Sequence, residues 1–362
     1  MYIIGKTGTG KSTLIEVLIR QDIAAGRGCA LIDPHGDLAE RVNSFAQAVA
    51  AERTTYFDAA DMAQPYGYNP LRRVRDDKIP LAAAGFIDTL KKLWPDAWGV
   101  RMEHVLRNSL YALFEQDRAS LPDILRLYTD EAFRTTLAKT LRNPMVKQFW
   151  MAEFKGYSDR LKAEAVAPIQ NKLGALLTDP RLHRIFVAPS IDIRFRSIMD
   201  SRGVLIANLA KGRLGEEASN VLGGLIASTI GLAALSRSED MRPRRTFFLY
   251  VDEFQSFTTL AFVNMTAELR KYGLGLILAH QHLQQLDHST RHAVLGNAGS
   301  LVCFRVGAQD ADIAAREMGL PIANDLISLP NYALCLRLLI DSQPAPTFSA
   351  TLLRPKELLS VQ

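Results

Sequence analysis

The first residues of the chain carry glycines, a lysine and a serine in a spacing typical of phosphate binding. The segment GKTGTGKST, residues 5–13, satisfies the pattern GxxxxGK[ST] between an apolar run and an amphipathic helix. The glycines let backbone N–H groups turn towards phosphate oxygens, and the positive end of the helix adds to this attraction. A glycine-rich turn without function is the alternative, and this context disfavours it. The predicted nucleotide-binding residues are Gly5, Lys6, Thr7, Gly8, Thr9, Gly10, Lys11, Ser12 and Thr13.

Hydrolysis of a nucleotide also needs a metal-holding acid and a group that activates water, normally at the end of a neighbouring strand. The segment TFFLYVDEF, residues 246–254, supplies both. We expect Lys11 to bridge the β- and γ-phosphates of ATP, while Ser12 and Asp252 hold Mg²⁺, the aspartate through water. Glu253 is the candidate general base. Paired acids at a strand end also suit a helix N-cap, but the glycine-rich loop favours the catalytic interpretation.

A third apolar run, GLGLILAH, ends beside Gln281, whose amide is suited to contact both the γ-phosphate and the attacking water. His280 and His282 flank this glutamine. Because no cysteine or carboxylate ligand is nearby in the sequence, we interpret both histidines as surface residues and not as a metal site.

Upstream of that run, ELRKYG places Arg270 and Lys271 at the end of a predicted helix, where the helix dipole favours positive charge. The functional alternative is that Arg270 reaches the γ-phosphate held by a neighbouring subunit, which would make the enzyme active only as a ring. Arg305, in CFRVG, is a weaker second candidate for this role.

The elements that must position these residues alternate between strands and helices. Such alternation predicts an α/β fold with a mostly parallel central sheet. Helical patterns alone run from about Leu81 to Phe186, divided by Pro95, Pro122, Pro144, Pro168 and Pro180. We therefore predict a nucleotide-binding domain over 1–75 and 196–362, with an inserted all-α domain over 76–195. Within the second part, helices are expected over 216–236 and 259–272.

Composition sets broad limits on the class of protein. Hydrophobic residues make up 48% of the 362 residues, the net charge is +5 and the isoelectric point is near 9.1, which favours polyanionic partners without proving one. Three scattered cysteines argue against a disulfide framework and a zinc site. The longest apolar run, 221–235, is shorter than a membrane span and predicts a buried core helix. We expect no membrane segment in this chain.

These motifs, together with IDPHGDLAE, YGYNPL, NLAKGRLGEEASNVLGGLI and NAGSLVCFRVGAQDA, resemble the HerA/FtsK superfamily of DNA-pumping ATPases. The resemblance is strongest to the TraG/TraD-like coupling proteins of conjugation and type IV secretion, and it spans nearly the whole chain. It implies a RecA-like P-loop NTPase core with an inserted all-α domain, a homo-hexameric ring, DNA in the central channel and ATP between subunits.

The same resemblance assigns roles to individual positions. Lys11 and Ser12 match the phosphate and magnesium residues, and Asp252 and Glu253 match the second acidic motif. Gln281 matches the sensor and Arg270 the trans-acting arginine. Asp33 and His35 match the DPHG signature, which we expect to support the nucleotide site.

The predicted function is that of an ATP-hydrolysing DNA translocase that couples DNA to a conjugation or type IV secretion apparatus, with DNA held mainly through its phosphates. A HerA-like DNA-processing translocase, a secretion ATPase acting on protein and a non-hydrolysing scaffold are the alternatives. The segment LAKGRLG, 209–215, suits either a pore loop or an exposed turn.

Coupling proteins usually carry transmembrane helices before the P-loop, and HerA-type pumps carry a β-barrel there. Neither is expected in this chain. We therefore expect a cytoplasmic motor, with relaxase or secretion-channel proteins as further partners and with attachment to the inner membrane through partners as an additional option.

Overall fold

A mostly parallel sheet runs through the centre of the protein in the computed structural model, which describes residues 1–187, 189–239, 244–257, 262–263, 268–341 and 343–353. Within these residues nine strands form the sheet, in the order β13-β10-β9-β1-β8-β7-β2-β6-β3. Their bounds are β1 Tyr2–Ile4, β2 Gly28–Asp33, β3 Thr54–Asp58, β6 Val204–Asn208, β7 Phe247–Val251, β8 Leu274–His280, β9 Leu301–Cys303, β10 Ala333–Arg337 and β13 Phe348–Thr351.

Strand direction follows the predicted pattern. Every pairing from β9 across to β3 is parallel. Only the pairings that β10 makes with β9 and β13, the outer strands on one side of this sheet, are antiparallel. The central strands are continuous apolar runs; every residue of β2 and β6 is buried, as expected where helices cover both faces of a parallel sheet. The carboxyl ends of the parallel strands therefore meet at one edge. We call it the carboxyl edge.

Helices cover the sheet and form the insertion. Their bounds are α1 Lys11–Ala24, α2 Asp37–Ala50, α3 Ile79–Leu93, α4 Val100–Phe114, α5 Leu121–Thr129, α6 Glu131–Thr140, α7 Pro144–Gln148, α8 Phe154–Gly156, α9 Asp159–Thr178, α10 Pro180–Val187, α11 Phe195–Asp200, α12 Lys211–Leu214, α13 Glu216–Leu235, α14 His288–Asn297, α15 Ala308–Met318 and α16 Asn324–Ile327. Part of the predicted helix over 259–272 lies outside the described residues; 262–263 and 268–269 are helical, and Arg270–Tyr272 forms a 3-10 turn.

The helical stretch between β3 and β6 confirms the predicted insertion of helices into the α/β fold. Helix α3 packs against α13, and the buried side chains of the insertion continue into the core on one face of the sheet. The domain boundaries at 75/76 and 195/196 stay predictions.

Two details of this stretch differ from the expectation. Pro168 does not divide two helices but lies inside α9, because the carbonyl that its ring deprives of a partner belongs to exposed Glu164 and can be hydrated. A two-stranded parallel pairing, β4 Tyr66–Gly67 with β5 Ile191–Asp192, joins the two ends of the insertion. A second short pairing joins β11 Leu339–Ile340 to β12 Gln343–Pro344.

The predicted core helix at 221–235 lies within α13. In the described part of the chain, the helical segment Glu216–Ser238 is the one long and apolar enough to cross a membrane by length and composition, and 78% of its most apolar window is buried inside the protein. This burial agrees with the interpretation as a core helix.

Candidate nucleotide-binding site

Residues that follow four neighbouring strands meet around one cavity at the carboxyl edge. The glycine-rich loop follows β1, His35 follows β2, Asp252 and Glu253 follow β7, and Gln281 follows β8. The cavity has a volume of about 340 Å³. Its walls are formed by Thr7, Gly8, Gly10, Lys11, Ser12, Thr13, His35, Asp252, Glu253, Gln281 and Tyr332.

The glycines of the loop are required for two different reasons. Gly8 and Gly10 have φ angles of 76° and 118°, in the region that residues with a Cβ rarely adopt. Gly5 has an ordinary φ, but a Cβ there would lie 2.6 Å from Cβ of Phe304, so the requirement is close approach between strands. The hydroxyl of Thr9 donates to the carbonyl of Lys6 at 2.7 Å and closes the loop from within.

Lys11 begins α1 and is only 6% exposed. Its Nζ donates to the carbonyl oxygen of Lys6 at 3.0 Å, so the ammonium group is folded back over the loop. Burial lowers the pKa of Lys11, and the carboxylates of Asp252 and Glu253 oppose that shift. A cation held between a loop of N–H donors and two acids can bind a polyphosphate chain.

Ser12 and Asp252, the predicted metal-holding pair, are in direct contact at the cavity. The Ser12 hydroxyl donates to Oδ2 of Asp252 at 2.8 Å, and Oδ1 of Asp252 accepts the backbone N–H of Glu253 at 3.0 Å. Burial raises the pKa of Asp252, and the bond from Ser12 works in the opposite direction. An alcohol and a carboxylate side by side are the oxygen ligands that Mg²⁺ takes beside substrate phosphates, so this pair fits the metal.

Glu253 is held in place by three polar side chains. Oε1 lies 2.9 Å from Nε2 of His35 and accepts Nε2 of Gln281 at 2.5 Å, while Oε2 lies 3.4 Å from Nζ of Lys211. The hydrogen bond from His35 is the main cause that lowers the pKa of Glu253 to about 2. Glu253 also has a φ of 46°, a strained conformation that such over-determined contacts can maintain.

The N-cap alternative for the acidic pair does not describe this geometry. The side chain of Glu253 makes no capping hydrogen bond to the 3-10 turn Phe254–Ser256 that follows it. Both acids point towards the cavity and its polar groups instead.

Gln281 connects the glycine-rich loop to Glu253. Its Oε1 accepts the hydroxyl of Thr7 at 2.8 Å, and its Nε2 donates to Glu253. An amide placed in this way can respond to a group bound between the loop and the acid.

Asp33 and His35, whose roles the sequence did not separate, act differently. The carboxylate of Asp33 accepts the backbone N–H groups of His35, Gly36 and Ala39 at 2.9, 3.0 and 2.8 Å, and so shapes the turn that leads into α2. His35 extends from this turn to Glu253. Its own pKa is raised, chiefly by the hydrogen bond with Glu253.

Arg270 is not brought to this cavity. It precedes β8, whereas Gln281 follows the same strand, so the two side chains lie at opposite edges of the sheet. Arg270 instead lines a larger cavity of about 870 Å³, together with Met1, Asp22 and Gly273. This cavity lies where the parallel strands begin, which we call the amino edge. Arg305, the weaker candidate, donates to the carbonyl of Leu329 and to Oδ1 of Asn331.

The interpretation of His280 as a surface residue is wrong. The ring is fully buried and shares a hydrogen bond of 2.9 Å with the hydroxyl of Tyr2, because β8 is a central strand whose last residue is covered by Phe254. Burial lowers its pKa to about 3, so the ring is neutral. In the described residues no group of three or more His, Cys, Asp and Glu side chains could hold a metal ion.

Two residues of this region were not assigned to it from the sequence: Lys211, which contacts Glu253, and Tyr332, which lines the cavity. Lys211 belongs to the segment LAKGRLG and follows β6, so the rule that polar residues after parallel strands meet at one edge could have found it. Tyr332 precedes the antiparallel strand β10 and lies in no recognisable motif. Only the strand order places it beside the glycine-rich loop.

A glycine-rich loop between β1 and α1, beside acids at the end of another parallel strand, defines the class of α/β P-loop NTPase folds, here with helices inserted after β3. More particularly, the chain belongs to the family of type IV secretion-system coupling protein DNA-binding domains, whose model matches residues 1–320. The resemblance of the sequence motifs to the coupling proteins of conjugation and type IV secretion is thereby confirmed.

Solved structures show the same fold. The plasmid coupling protein TrwB in complex with the non-hydrolysable ATP analogue ADPNP is 17% identical, with a TM-score of 0.68 over 97% of this chain and 84% of that one. TrwB with ADP and Mg²⁺ is also 17% identical, with a TM-score of 0.67 over 98% and 85%. VirB4 of Thermoanaerobacter pseudethanolicus is 13% identical, with a TM-score of 0.64 over 99% and 90%. Comparison with curated proteins gives no match.

Proposed function

We propose that this chain is the ATP-hydrolysing motor of a coupling protein and moves DNA towards a type IV secretion apparatus during conjugation. The observation that carries the proposal is the convergence of Lys11, Ser12, Asp252, Glu253 and Gln281 on one cavity. Family membership supplies the DNA partner, and the complexes of TrwB with ATP analogues and with ADP and Mg²⁺ support the choice of nucleotide and metal.

Each residue has a distinct task in this proposal. The N–H groups of the loop and the ammonium of Lys11 bind the phosphate chain, and Ser12 and Asp252 hold Mg²⁺, which supplies neutralisation of phosphate charge. His35 and Lys211 keep Glu253 ionised. A carboxylate with so low a pKa orients and polarises water better than it retains a proton, so we assign Glu253 the positioning of the attacking water, with Gln281 beside it.

The proposal extends to partners. We propose a homo-hexamer in which Arg270 completes the site of a neighbouring subunit, and DNA held mainly through its phosphates. Relaxase or secretion-channel proteins are the further partners, and the proposed location is the cytoplasm, at the inner membrane through those partners. The DNA-binding description of the family favours DNA as the transported polymer over a secreted protein or a HerA-like processing role.

The test is ATP hydrolysis with and without duplex DNA over a series of salt concentrations. We expect DNA to stimulate the wild type, with a stimulation that falls as salt rises because phosphate contacts release counterions. Lys11→Ala and Glu253→Gln are each expected to abolish the stimulated rate. The matched controls Lys155→Ala and Glu52→Gln change exposed residues away from the cavity and keep the DNA-free rate.

Two results would contradict separate parts of this assignment. A wild-type rate that ignores DNA at every salt concentration argues against DNA coupling. Hydrolysis that survives in both Lys11→Ala and Glu253→Gln argues against the site itself.

A further inference from the structure

Tyr332 lies on the other side of the glycine-rich loop from the acidic residues. In the sheet order β10-β9-β1-β8-β7-β2, Tyr332 precedes β10, two strands to one side of β1. Gln281, Glu253 and His35 follow strands on the opposite side of β1. The loop is therefore flanked by a polar, acidic half of the cavity and by a half that contains an aromatic ring.

The backbone of Tyr332 is fixed to the loop. Its N–H donates to the carbonyl of Thr9 at 2.9 Å, and its carbonyl accepts the N–H of Leu352 at 2.8 Å. Its φ is 67°, in the left-handed region that glycine adopts without cost and tyrosine does not. Strained positions of this kind cluster at functional sites, so the side chain of Tyr332 is a candidate for a role at the cavity.

The ring of Tyr332 packs over the start of α1. A Cβ placed on Gly10 would lie 3.0 Å from Cδ1 of Tyr332, so the ring is in contact with the loop where the helix begins. The residue is half-buried and lines the cavity. An aromatic ring thus lies beside the glycine-rich loop at the cavity wall.

The positions of the acids fix the direction of a bound triphosphate. Water attacks the terminal phosphate, so this phosphate lies in the half that contains Glu253 and Gln281. The phosphate chain then crosses the loop, and its nucleoside end leaves on the side of β9 and β10. That is the side of Tyr332.

We propose that the ring of Tyr332 packs against the nucleoside of the bound nucleotide and contributes binding energy that the phosphate chain does not. This inference rests on the proposed function, since it requires a nucleoside triphosphate in the cavity. Every base presents an aromatic face, so the contact stabilises ATP and GTP alike and distinguishes nucleotides from inorganic polyphosphate.

The experiment compares the affinities of the full chain for Mg·ATP and for inorganic tripolyphosphate by calorimetry. Tyr332→Ala is expected to weaken ATP binding by roughly 5- to 150-fold, the range of one lost base-aromatic contact, and to leave tripolyphosphate binding unchanged. Tyr332→Phe keeps the ring and is expected to bind ATP like the wild type. Tyr332→Gly removes the ring and also the strain of the positive φ, so it guards against misfolding of the alanine variant, and it is expected to show the same selective loss.

The possible results separate the two proposals. An equal loss of both ligands in Tyr332→Ala and Tyr332→Gly overturns the inference, because the ring would then act on the shape of the loop. Unchanged ATP binding in both variants overturns it as well. A wild type that binds neither ligand removes the proposed function itself, whereas a wild type that binds both leaves that function standing whatever the variants show.

Discussion

At the scale of single residues, Glu253 is constrained both by its neighbours and by its backbone. A buried carboxylate normally gains a proton more easily, but the hydrogen bonds and positive charge of His35 and Lys211 reverse this effect on the pKa of Glu253. Glu253 also has a left-handed backbone, with a φ of 46°, and its side chain lines the cavity. The same neighbours therefore determine both the charge and the direction of this side chain.

The ion pair between His35 and Glu253 makes stability depend on pH. The raised pKa of His35 means that the pair stabilises the fold fully below the ordinary histidine value of 6.5 and is lost as pH rises through the raised value. The lowered pKa of Glu253 means that the contribution is full above 4.5 and is lost as pH falls towards about 2. Because the His35 ring is 45% exposed, solvent screening limits the contribution to about 0.2–1 kcal/mol.

We therefore expect His35→Gln, which keeps a hydrogen-bond donor without the charge, to be less stable than the wild type between about pH 5 and 6 and equally stable once the pH exceeds the raised pKa of His35. Thermal unfolding over this pH series measures the difference. His183→Gln, which changes an exposed ring in α10, is the control and should show no such trend. A deficit in His35→Gln that stays constant across the series would mean that the charge of His35 plays no part.

At the scale of elements, the sequence was most informative where each strand ends in a polar residue. Parallel strands align their carboxyl ends, so Lys11, Asp252 and Gln281 could be placed together without coordinates. The sequence could not predict features of the site that depend on tertiary contacts. The burial of His280 depends on neighbouring elements, which its own segment does not predict. Tyr332 lies beside the loop because the antiparallel strand β10 pairs with β9, and no local sequence pattern predicts that pairing.

Helix α13 illustrates a packing requirement that its apolar composition does not show. A Cβ on Gly223, inside this helix, would overlap the buried ring of Phe257, so the glycine lets α13 approach the segment that follows the acidic pair. Gly174 in α9 has no atom within 4 Å of the corresponding position. Both glycines have a helical backbone, so they differ only in what surrounds them.

We expect Gly223→Ala to lower the free energy of unfolding by about 1–3 kcal/mol through overpacking. Gly174→Ala, the matched control, is expected to raise it by up to about 1 kcal/mol because alanine favours helix. Denaturant unfolding of both variants measures the two changes. A Gly223→Ala variant that is more stable than the wild type, whatever the sign for Gly174→Ala, would show that the contact between α13 and Phe257 accommodates the added methyl group without loss of stability.

At the scale of the whole molecule, the two cavities lie at opposite ends of the parallel strands. The nucleotide cavity lies at the carboxyl edge and Arg270 lies at the amino edge, beside the larger cavity. Strand β8, which separates Arg270 from Gln281, has seven residues and therefore spans about 23 Å. An arginine side chain cannot cover that distance, so any contact between Arg270 and a nucleotide must involve a second copy of the chain.

A head-to-tail ring satisfies this requirement, since a heterologous interface brings one edge of each subunit to a different edge of the next. We expect Lys11→Ala and Arg270→Ala each to lose DNA-stimulated hydrolysis and a mixture of the two to regain part of it. A mixed ring contains some sites that combine intact Lys11 from one subunit with intact Arg270 from its neighbour, on average about one in four when equal amounts assemble at random.

The measurement is the ATPase rate of the mixture against the sum of the separate variants, with native mass spectrometry to show that they assemble together. Lys271→Ala, which removes the same charge from the adjacent position, is expected to remain active alone. Full activity of Arg270→Ala alone would show that this arginine has no part in hydrolysis. Co-assembly without any recovered activity would show that Arg270 does not act across the subunit interface, and the position of Arg270 at the amino edge would then need a role within its own subunit.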